Sequence, residues 1–246
     1  MEYIVERFDA MQFADEQIEK LFSEGFPPFI TADPVAAVYI ERVSECFGKY
    51  HIALIDTTAD KPMASGWGVP IRWTGGVTDL PSGYTDTLSR AIRESETNIQ
   101  PNTLVICAGI VNPSLAKKGV AGELILALKE LATASNLSHV IAPLRPTLKH
   151  RYPLTPIETY SQWVRPDGLP LDPWLRTHIR LGGCIIAIAP HSQTMTGTVE
   201  QWEQWTEMKF PSTGHYVIRD GLNTLYIDKE RDVGTYTEPN VWVLHR

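Results

Sequence analysis

The sequence has 246 residues, of which 43% are hydrophobic and 21% charged, and its formal net charge is −7. This is the composition of an ordinary globular protein, and the length can bury a sizeable core in one large domain or two small ones. The acidic balance and the lack of a long basic run argue against nucleic acid as a partner. No apolar run is long enough to span a membrane.

The N-terminal stretch and the cysteines point to a cytoplasmic protein. Residues 1–17 are acidic and mixed in character, unlike a signal peptide. Cys46, Cys107 and Cys184 are far apart, odd in number and form no CxxC pair, which predicts reduced thiols that serve as packing residues. No His/Asp cluster has metal-ligand spacing, so we expect no metal.

Hydrophobic periodicity and capping signals divide the first 144 residues into strands and helices. The continuous apolar run 103–111 is typical of a strand that is buried on both faces. An amphipathic helix and the buried strand 138–144 follow it, and together they make a βαβ-like unit. The other elements predicted here are strands over 3–8, 51–58 and 61–73 and helices over 13–24, 34–47 and 83–95.

After residue 144 the pattern is looser, and it predicts a short helix near 156–163 in a proline-rich stretch. The stretch "DPWLRTHIRLGG" predicts a helix, because it has a capping aspartate, a proline at the first helical position and a double-glycine stop. "CIIAIAP" predicts a strand and "TGTVEQWEQWTEM" a capped helix, and the tail from His215 alternates as strands.

These elements favour one α+β domain over 1–246 with a mixed central sheet. Its parts are an N-terminal helical part (1–50), the sheet and the βαβ-like core (51–144), and a C-terminal part (145–246). A split near residue 150 is the alternative.

The helix that follows 103–111 breaks two local rules where it begins. Lys117 and Lys118 stand at its N-terminus, where the helix dipole disfavours positive charge, and Gly119 and Gly122 flank its first turn at a cost in conformational entropy. Exposed N–H groups there would bind an anion, which would make both lysine charges favourable. The stretch therefore predicts a phosphate site, with a surface helix start carrying two solvated lysines as the alternative.

This order of strand, glycine-bearing turn, helix and strand resembles the acyl-CoA-binding core of the GNAT acetyltransferase superfamily. The motif falls on Lys117, Lys118, Gly119, Val120, Ala121 and Gly122. Ala116 precedes it, where the family usually has arginine or glutamine. The resemblance implies a GNAT fold whose loop amides hold the pyrophosphate of coenzyme A. It also implies a bulged strand that offers an N–H to the thioester carbonyl near its end, which falls on Ala108, Ile110 and Val111.

Four C-terminal stretches resemble a narrower group, the GNAT-like domains of polyketide synthase loading modules, such as the curacin-type initiation domain. They are "RPTLKHRYPL", "WVRPDGLPLDPWLRTHIRLGG", "TGTVEQWEQWTEMKFP" and "IDKERDVGTYTEPNVWVLH". This resemblance implies decarboxylation of a malonyl-type thioester, with transfer to an acyl carrier protein as a further step. The catalytic histidine and hydroxyl of that group fall on His178 and Thr147, with Thr155 as the alternative hydroxyl.

The residues themselves leave His178 open to two interpretations. It shares a helical face with Trp174 and Leu181, which suits either a core histidine or a donor to charge that develops in a transition state. Loss of CO2 from a malonyl thioester places negative charge on the thioester oxygen, and such a donor would stabilise it. Trp67 and Trp174 are predicted walls of the substrate pocket, with core packing as the alternative.

Two other functions fit the same fold. An ordinary N-acetyltransferase needs a base for the amine and an acid for the leaving thiolate, and Glu158 together with Tyr152 or Tyr160 are candidates. A GNAT domain that binds acyl-CoA without turnover is the second. In all three cases malonyl- or acetyl-CoA is the bound partner, and we expect no tightly held cofactor.

Overall fold

The computed structural model describes residues 2–8 and 15–245, which form one mixed sheet with helices on both faces. The strands are β1 (Tyr3–Arg7), β2 (His51–Asp56), β3 (Lys61–Ile71), β4 (Thr103–Val111), β5 (His139–Leu144), β6 (Gly183–Gly197), β7 (Gly214–Val217), β8 (Thr224–Asp228) and β9 (Val233–His245). The α-helices are α1 (Asp15–Gly25), α2 (Pro34–Phe47), α3 (Tyr84–Glu96), α4 (Val120–Ala134), α5 (Ile157–Tyr160), α6 (Pro173–Arg180) and α7 (Val199–Thr206).

The sheet confirms the predicted α+β class. Its strand order is β1-β2-β3-β4-β5-β9-β8-β7, and β6 also pairs with β9. The β4–β5 pair is parallel and the other pairs are antiparallel. Strands from both sides of residue 150 meet where β5 pairs with β9.

Most predicted elements appear close to their predicted limits, and β4 coincides with the apolar run 103–111. Two predictions are wrong in length. The strand predicted at "CIIAIAP" continues to Gly197, because it pairs with β9 along that length. The helix predicted near 156–163 is a single turn. Positions 13 and 14 of the first predicted helix lie outside the described residues.

Aspartate followed by proline starts two of the helices. Asp33 accepts hydrogen bonds from the N–H groups of Val35 and Ala36, both at 2.9 Å, and proline stands at the first position of α2. Asp172 caps α6 in the same way. Each carboxylate satisfies N–H groups that the first helical turn leaves unpaired, which fixes where the helix begins.

The two faces of the sheet carry different helices. On one face, Leu124 and Leu128 of α4 lie 3.2 Å from the point where a Cβ of Gly66 would stand. Side chains alternate along a strand, so Ala53, which pairs with the neighbour of Gly66, faces the other way. There it packs with Ile18 of α1. We call these the α4 face and the α1 face.

The parallel strands β4 and β5 pair over a short length and then diverge. Among the described residues the pairs join 103–105 of β4 to 139–141 of β5. Beyond them β4 remains paired with β3 up to Val111, and β5 remains paired with β9 up to Leu144. A gap therefore opens between the carboxyl ends of two adjacent strands.

We predict that Asp172→Ala lowers the free energy of unfolding by about 2–4 kcal/mol. Asp172 is 2% exposed, and besides capping α6 its Oδ2 accepts from the Leu148 N–H at 2.7 Å and from the Tyr160 hydroxyl at 2.9 Å. The change removes the cap and leaves both of these buried donors without their acceptor. Urea unfolding measures the loss.

Two further variants serve as comparisons for the stability of Asp172→Ala. Asp172→Asn keeps an oxygen for the cap but presents an amide N–H₂ to the Leu148 N–H, so we expect a smaller loss. Asp167→Ala removes an exposed loop carboxylate that accepts from the Leu169 N–H at 3.2 Å and pairs with the exposed Arg165 at 3.3 Å, and we expect little change, because surface ion pairs add little stability. Equal stability of Asp172→Ala and Asp167→Ala would contradict the prediction.

Candidate active site

The outer half of β4 forms one wall of the gap. Residues 103–106 are buried, whereas residues 107–111 are only partly buried. The pairing with β3 shifts between Trp67 and Gly68, which pair with Ala108 and Ile106, so Cys107 is the extra residue of a β-bulge. Burial raises the pKa of the Cys107 thiol, which keeps it protonated and a poor nucleophile.

The loop that joins β4 to α4 exposes backbone donors. Lys117 has φ +65° and Gly119 has φ +87°, and the helix begins only at Val120. Both lysines therefore lie in the loop just before the helix, next to the N-terminus where they are predicted. Alternation of left-handed and right-handed residues turns successive N–H groups toward one concavity, which is a geometry that binds anions.

Three consecutive N–H groups in this loop stay free of protein acceptors within the described residues, those of Gly119, Val120 and Ala121. Lys118 donates its own N–H to the Leu115 carbonyl, and Gly122 donates to Gly119. The Lys117 and Lys118 side chains are exposed beside these donors. The predicted phosphate-binding residues thus combine unpaired amides with exposed positive charge.

Trp174 of α6 lies against the gap on the α4 face. Its ring comes within 3.9 Å of the Cβ position of Gly109, a β4 residue that also faces Leu124 of α4. On its other side the ring packs edge-on against His178, with centroids 4.4 Å apart. Trp174 therefore stands between His178 and the wall of the gap.

His178 is fully buried and neutral. Its Nδ1 lies 2.7 Å from Nε2 of His245, while its own Nε2 has no protein partner in the described residues. Burial, and then the neighbouring His245, hold the pKa of His178 well below its usual value. A neutral imidazole of this kind either donates or accepts one hydrogen bond at Nε2.

Neither of the two predicted hydroxyl partners is hydrogen-bonded to His178 within the described residues. Thr147 is exposed and directly precedes Leu148, whose N–H is bonded to the α6 cap Asp172. Thr155 is half-buried, and its N–H donates to Tyr152. No hydrogen bond of the described chain joins either hydroxyl to the histidine.

Trp67 lies on the opposite face from Trp174. It packs edge-on against Tyr84 of α3 at 6.2 Å, and it lines a cavity of about 180 Å³ beneath α2. The other side chains of that cavity are Ile40, Val43, Ser44, Phe47 and His51. Trp174 therefore borders the gap on the α4 face, whereas Trp67 borders the cavity beneath α2, so the two predicted pocket walls lie on opposite faces of the sheet.

The candidate acids and base of an N-acetyltransferase lie at the open end of β5. The Tyr160 hydroxyl is buried and donates to Asp172, and burial raises its pKa. Tyr152 is 39% exposed and packs edge-on against Trp163. Glu158 is exposed on α5. Of the three, Tyr160 already donates its hydroxyl proton in the hydrogen bond to Asp172, so this proton is not free for a leaving thiolate.

Sequence reasoning missed a buried ion pair just beyond β5. Arg145 Nε lies 2.8 Å from Glu238, which is 1% exposed, and the Tyr236 hydroxyl donates to the same carboxylate at 3.0 Å. Arg145 also donates to the carbonyl of Asp220 at 2.6 Å. An arginine directly after a strand and a glutamate in an alternating tail are weak signals, because either usually faces solvent.

His245 is the second residue that the sequence did not reveal. It is 3% exposed at the end of β9, where it pairs with Val140 and Gly183. Burial, and then the nearby cation of Lys129, lower its pKa to about 4. A histidine at a strand end, 67 residues from its partner, carries no local signal of this contact.

Two absences hold for the described ranges 2–8 and 15–245. Their histidine, cysteine, aspartate and glutamate side chains form no group of three that could hold a metal ion. Their helices include none that is both long enough and apolar enough to cross a membrane.

Comparisons with known proteins identify the family. No protein-family model matches the chain. Arginine N-acetyltransferase avaD of Aspergillus versicolor is 30% identical over 254 residues, which cover 92% of this chain and 87% of that protein.

Two solved structures share the fold over the whole chain. The loading GNATL domain of CurA from Lyngbya majuscula has a TM-score of 0.62 at 15% identity, and the GphF GNAT-like decarboxylase in complex with isobutyryl-CoA has 0.57 at 12%. Each alignment covers 100% of this chain and 98% of the other. The chain therefore belongs to the GNAT acyltransferase superfamily, as its strand–loop–helix motif predicts.

Proposed function

We propose that the protein transfers an acyl group from a coenzyme A thioester to a nitrogen atom of a small, arginine-like substrate. The observation that carries this proposal is the 30% identity to an arginine N-acetyltransferase, which extends over 92% of the chain. The proposed reaction keeps the N-acetyltransferase alternative of the sequence analysis and narrows its acceptor.

Coenzyme A would lie along the gap on the α4 face. Its pyrophosphate would meet the free N–H groups of 119–121, with Lys117 and Lys118 adding charge from the side. The acyl thioester would then run along the partly buried end of β4, where Ala108, Ile110 and Val111 present backbone groups to the gap. An N–H at this wall would hold the thioester carbonyl.

The transfer itself needs donors for an oxyanion. The nitrogen lone pair attacks the thioester carbon, the carbonyl oxygen becomes negative, and the C–S bond then breaks as the nitrogen loses a proton. Fixed N–H groups of β4 would stabilise that oxygen without reorganising. The acceptor would enter from the α1 face, where Trp67 and His51 border an open cavity.

Decarboxylation of a malonyl-type thioester is the second candidate, and the state of His178 favours it. A histidine whose pKa is held well below its usual value is a weak base but a suitable neutral donor to an enolate. Here the C–C bond breaks, CO2 leaves, and the electron pair of that bond forms an enolate with negative charge on the thioester oxygen. The enolate carbon then takes up a proton from water to give the acetyl thioester. Rotation of the Trp174 ring would open a path to Nε2, and transfer of the product to an acyl carrier protein would be a later step.

One assay separates the two reactions. With acetyl-CoA, we expect thiol release that requires arginine and a product heavier by one acetyl group, followed by mass spectrometry. With malonyl-CoA alone, the second candidate predicts acetyl-CoA and CO2, and His178→Ala would slow this about 100-fold. Comparison of Thr147→Val with Thr155→Val identifies any hydroxyl that assists. Thiol release that ignores every amine tested would contradict N-acyl transfer.

The phosphate site can be tested through one glycine. Gly119→Ala imposes a side chain at φ +87°, which costs about 1–2 kcal/mol, so we expect coenzyme A to bind roughly 5- to 30-fold more weakly. Gly75→Ala is the matched control, because Gly75 has the same φ of +87° and free space around it but lies in the loop between β3 and α3. Calorimetry with acetyl-CoA compares the two. Equal affinity of Gly119→Ala and the parent would place the pyrophosphate elsewhere.

A further inference from the structure

Two histidines from distant parts of the chain form a buried pair. His178 lies in the last turn of α6, and His245 lies at the end of β9. Their ring nitrogens approach to 2.7 Å, and the residues are 0% and 3% exposed. In this pair one ring must donate and the other must accept, because two neutral imidazoles can share a hydrogen bond in no other way.

The two ring nitrogens that lie outside the shared hydrogen bond indicate what the pair does. Within the described residues, Nε2 of His178 and Nδ1 of His245 are both buried without a hydrogen-bond partner. A buried polar atom without a partner is unfavourable and calls for a reason. The Trp174 ring packs against His178 and also approaches Gly109 at the wall of the gap, where the acyl-CoA is proposed to lie.

The surroundings keep both rings of the pair neutral. Burial, and then His245, lower the pKa of His178, while burial, and then the cation of Lys129, lower the pKa of His245. The two rings therefore share one proton across their 2.7 Å contact. When Nε2 of His245 donates it to Nδ1 of His178, the proton of His178 lies on Nε2, the nitrogen without a protein partner in the described residues.

We propose that His245 is a positioning residue that holds His178 as the tautomer with its proton on Nε2. His178 then offers a neutral N–H to the thioester or enolate oxygen, and its own Nδ1 cannot compete, since it already accepts from His245. The inference rests on the proposed function, because it assigns the N–H of His178 to the acyl-CoA oxygen. It adds a residue that neither the motif nor the relatives identify.

The tautomer can be observed without any turnover. Nitrogen-15 NMR of the histidine rings in the parent protein distinguishes a protonated from an unprotonated Nε2. We expect His178 to be protonated on Nε2 and His245 also on Nε2. A spectrum in which His178 carries its proton on Nδ1 overturns the proposal, whatever the enzyme does.

The role is tested by a matched pair of variants. His245→Gln keeps an N–H donor near the position of Nε2, whereas His245→Leu removes it. We expect His245→Leu to lower kcat by about 10- to 100-fold, with little change in acyl-CoA affinity by calorimetry, and His245→Gln to restore most of the rate. Equal rates in His245→Leu and the parent would also overturn the proposal.

Failure of the proposed function would look different. If the parent turns over neither acetyl-CoA with arginine nor malonyl-CoA, the assigned reactions are wrong, while the nitrogen-15 spectrum still decides the tautomer. If His245→Leu does not fold, the parent spectrum and His245→Gln remain as the tests, and a rate for His245→Gln as low as that of His178→Ala counts against the proposal.

Discussion

The separation of β4 from β5 is the constraint on which the rest of the structure depends. The two strands pair over 103–105 and 139–141, and each is then held by its other neighbour, β3 or β9. Backbone polar groups along the gap have lost a strand partner, and burying them unpaired would be costly. Water or an extended ligand must therefore occupy the gap, which makes it the natural place for a long, partly polar thioester.

Rigid walls keep this gap in one shape. Asp172 ties the start of α6 to Leu148 and Tyr160, so the helix that carries Trp174 and His178 cannot shift independently of β5. On the far side, the buried pair of Arg145 and Glu238 joins β5 to β9. A buried ion pair adds little net stability, but breaking it is costly, and this favours one arrangement of the two strands. The site is thus built on regular elements with fixed partners.

The sequence predicts features that are set locally and misses those set by long-range contact. The apolar run of β4 and the Asp-Pro starts of α2 and α6 are local, and the structure has them where predicted. The length of β6 depends on its register with β9, which no local pattern encodes. The positive φ of Lys117 was missed for another reason, since the lysine side chain has no preference for that conformation. The proposed pairing of His178 with Thr147 came from the resemblance, and no hydrogen bond among the described residues joins the two.

The neutral state of His178 bears on both proposed reactions. An amine that attacks a thioester must lose a proton, and a histidine kept neutral by burial is a poor acceptor for it. The departing thiolate is the better acceptor, because a free thiol has a pKa of about 8.5. In the proposed reactions, His178 would donate to the carbonyl oxygen in transfer and in decarboxylation alike. The acyl group and the occupant of the cavity beside Trp67 would decide between them: an amine in the cavity would accept an acetyl group, whereas a malonyl thioester with no amine beside it would lose CO2.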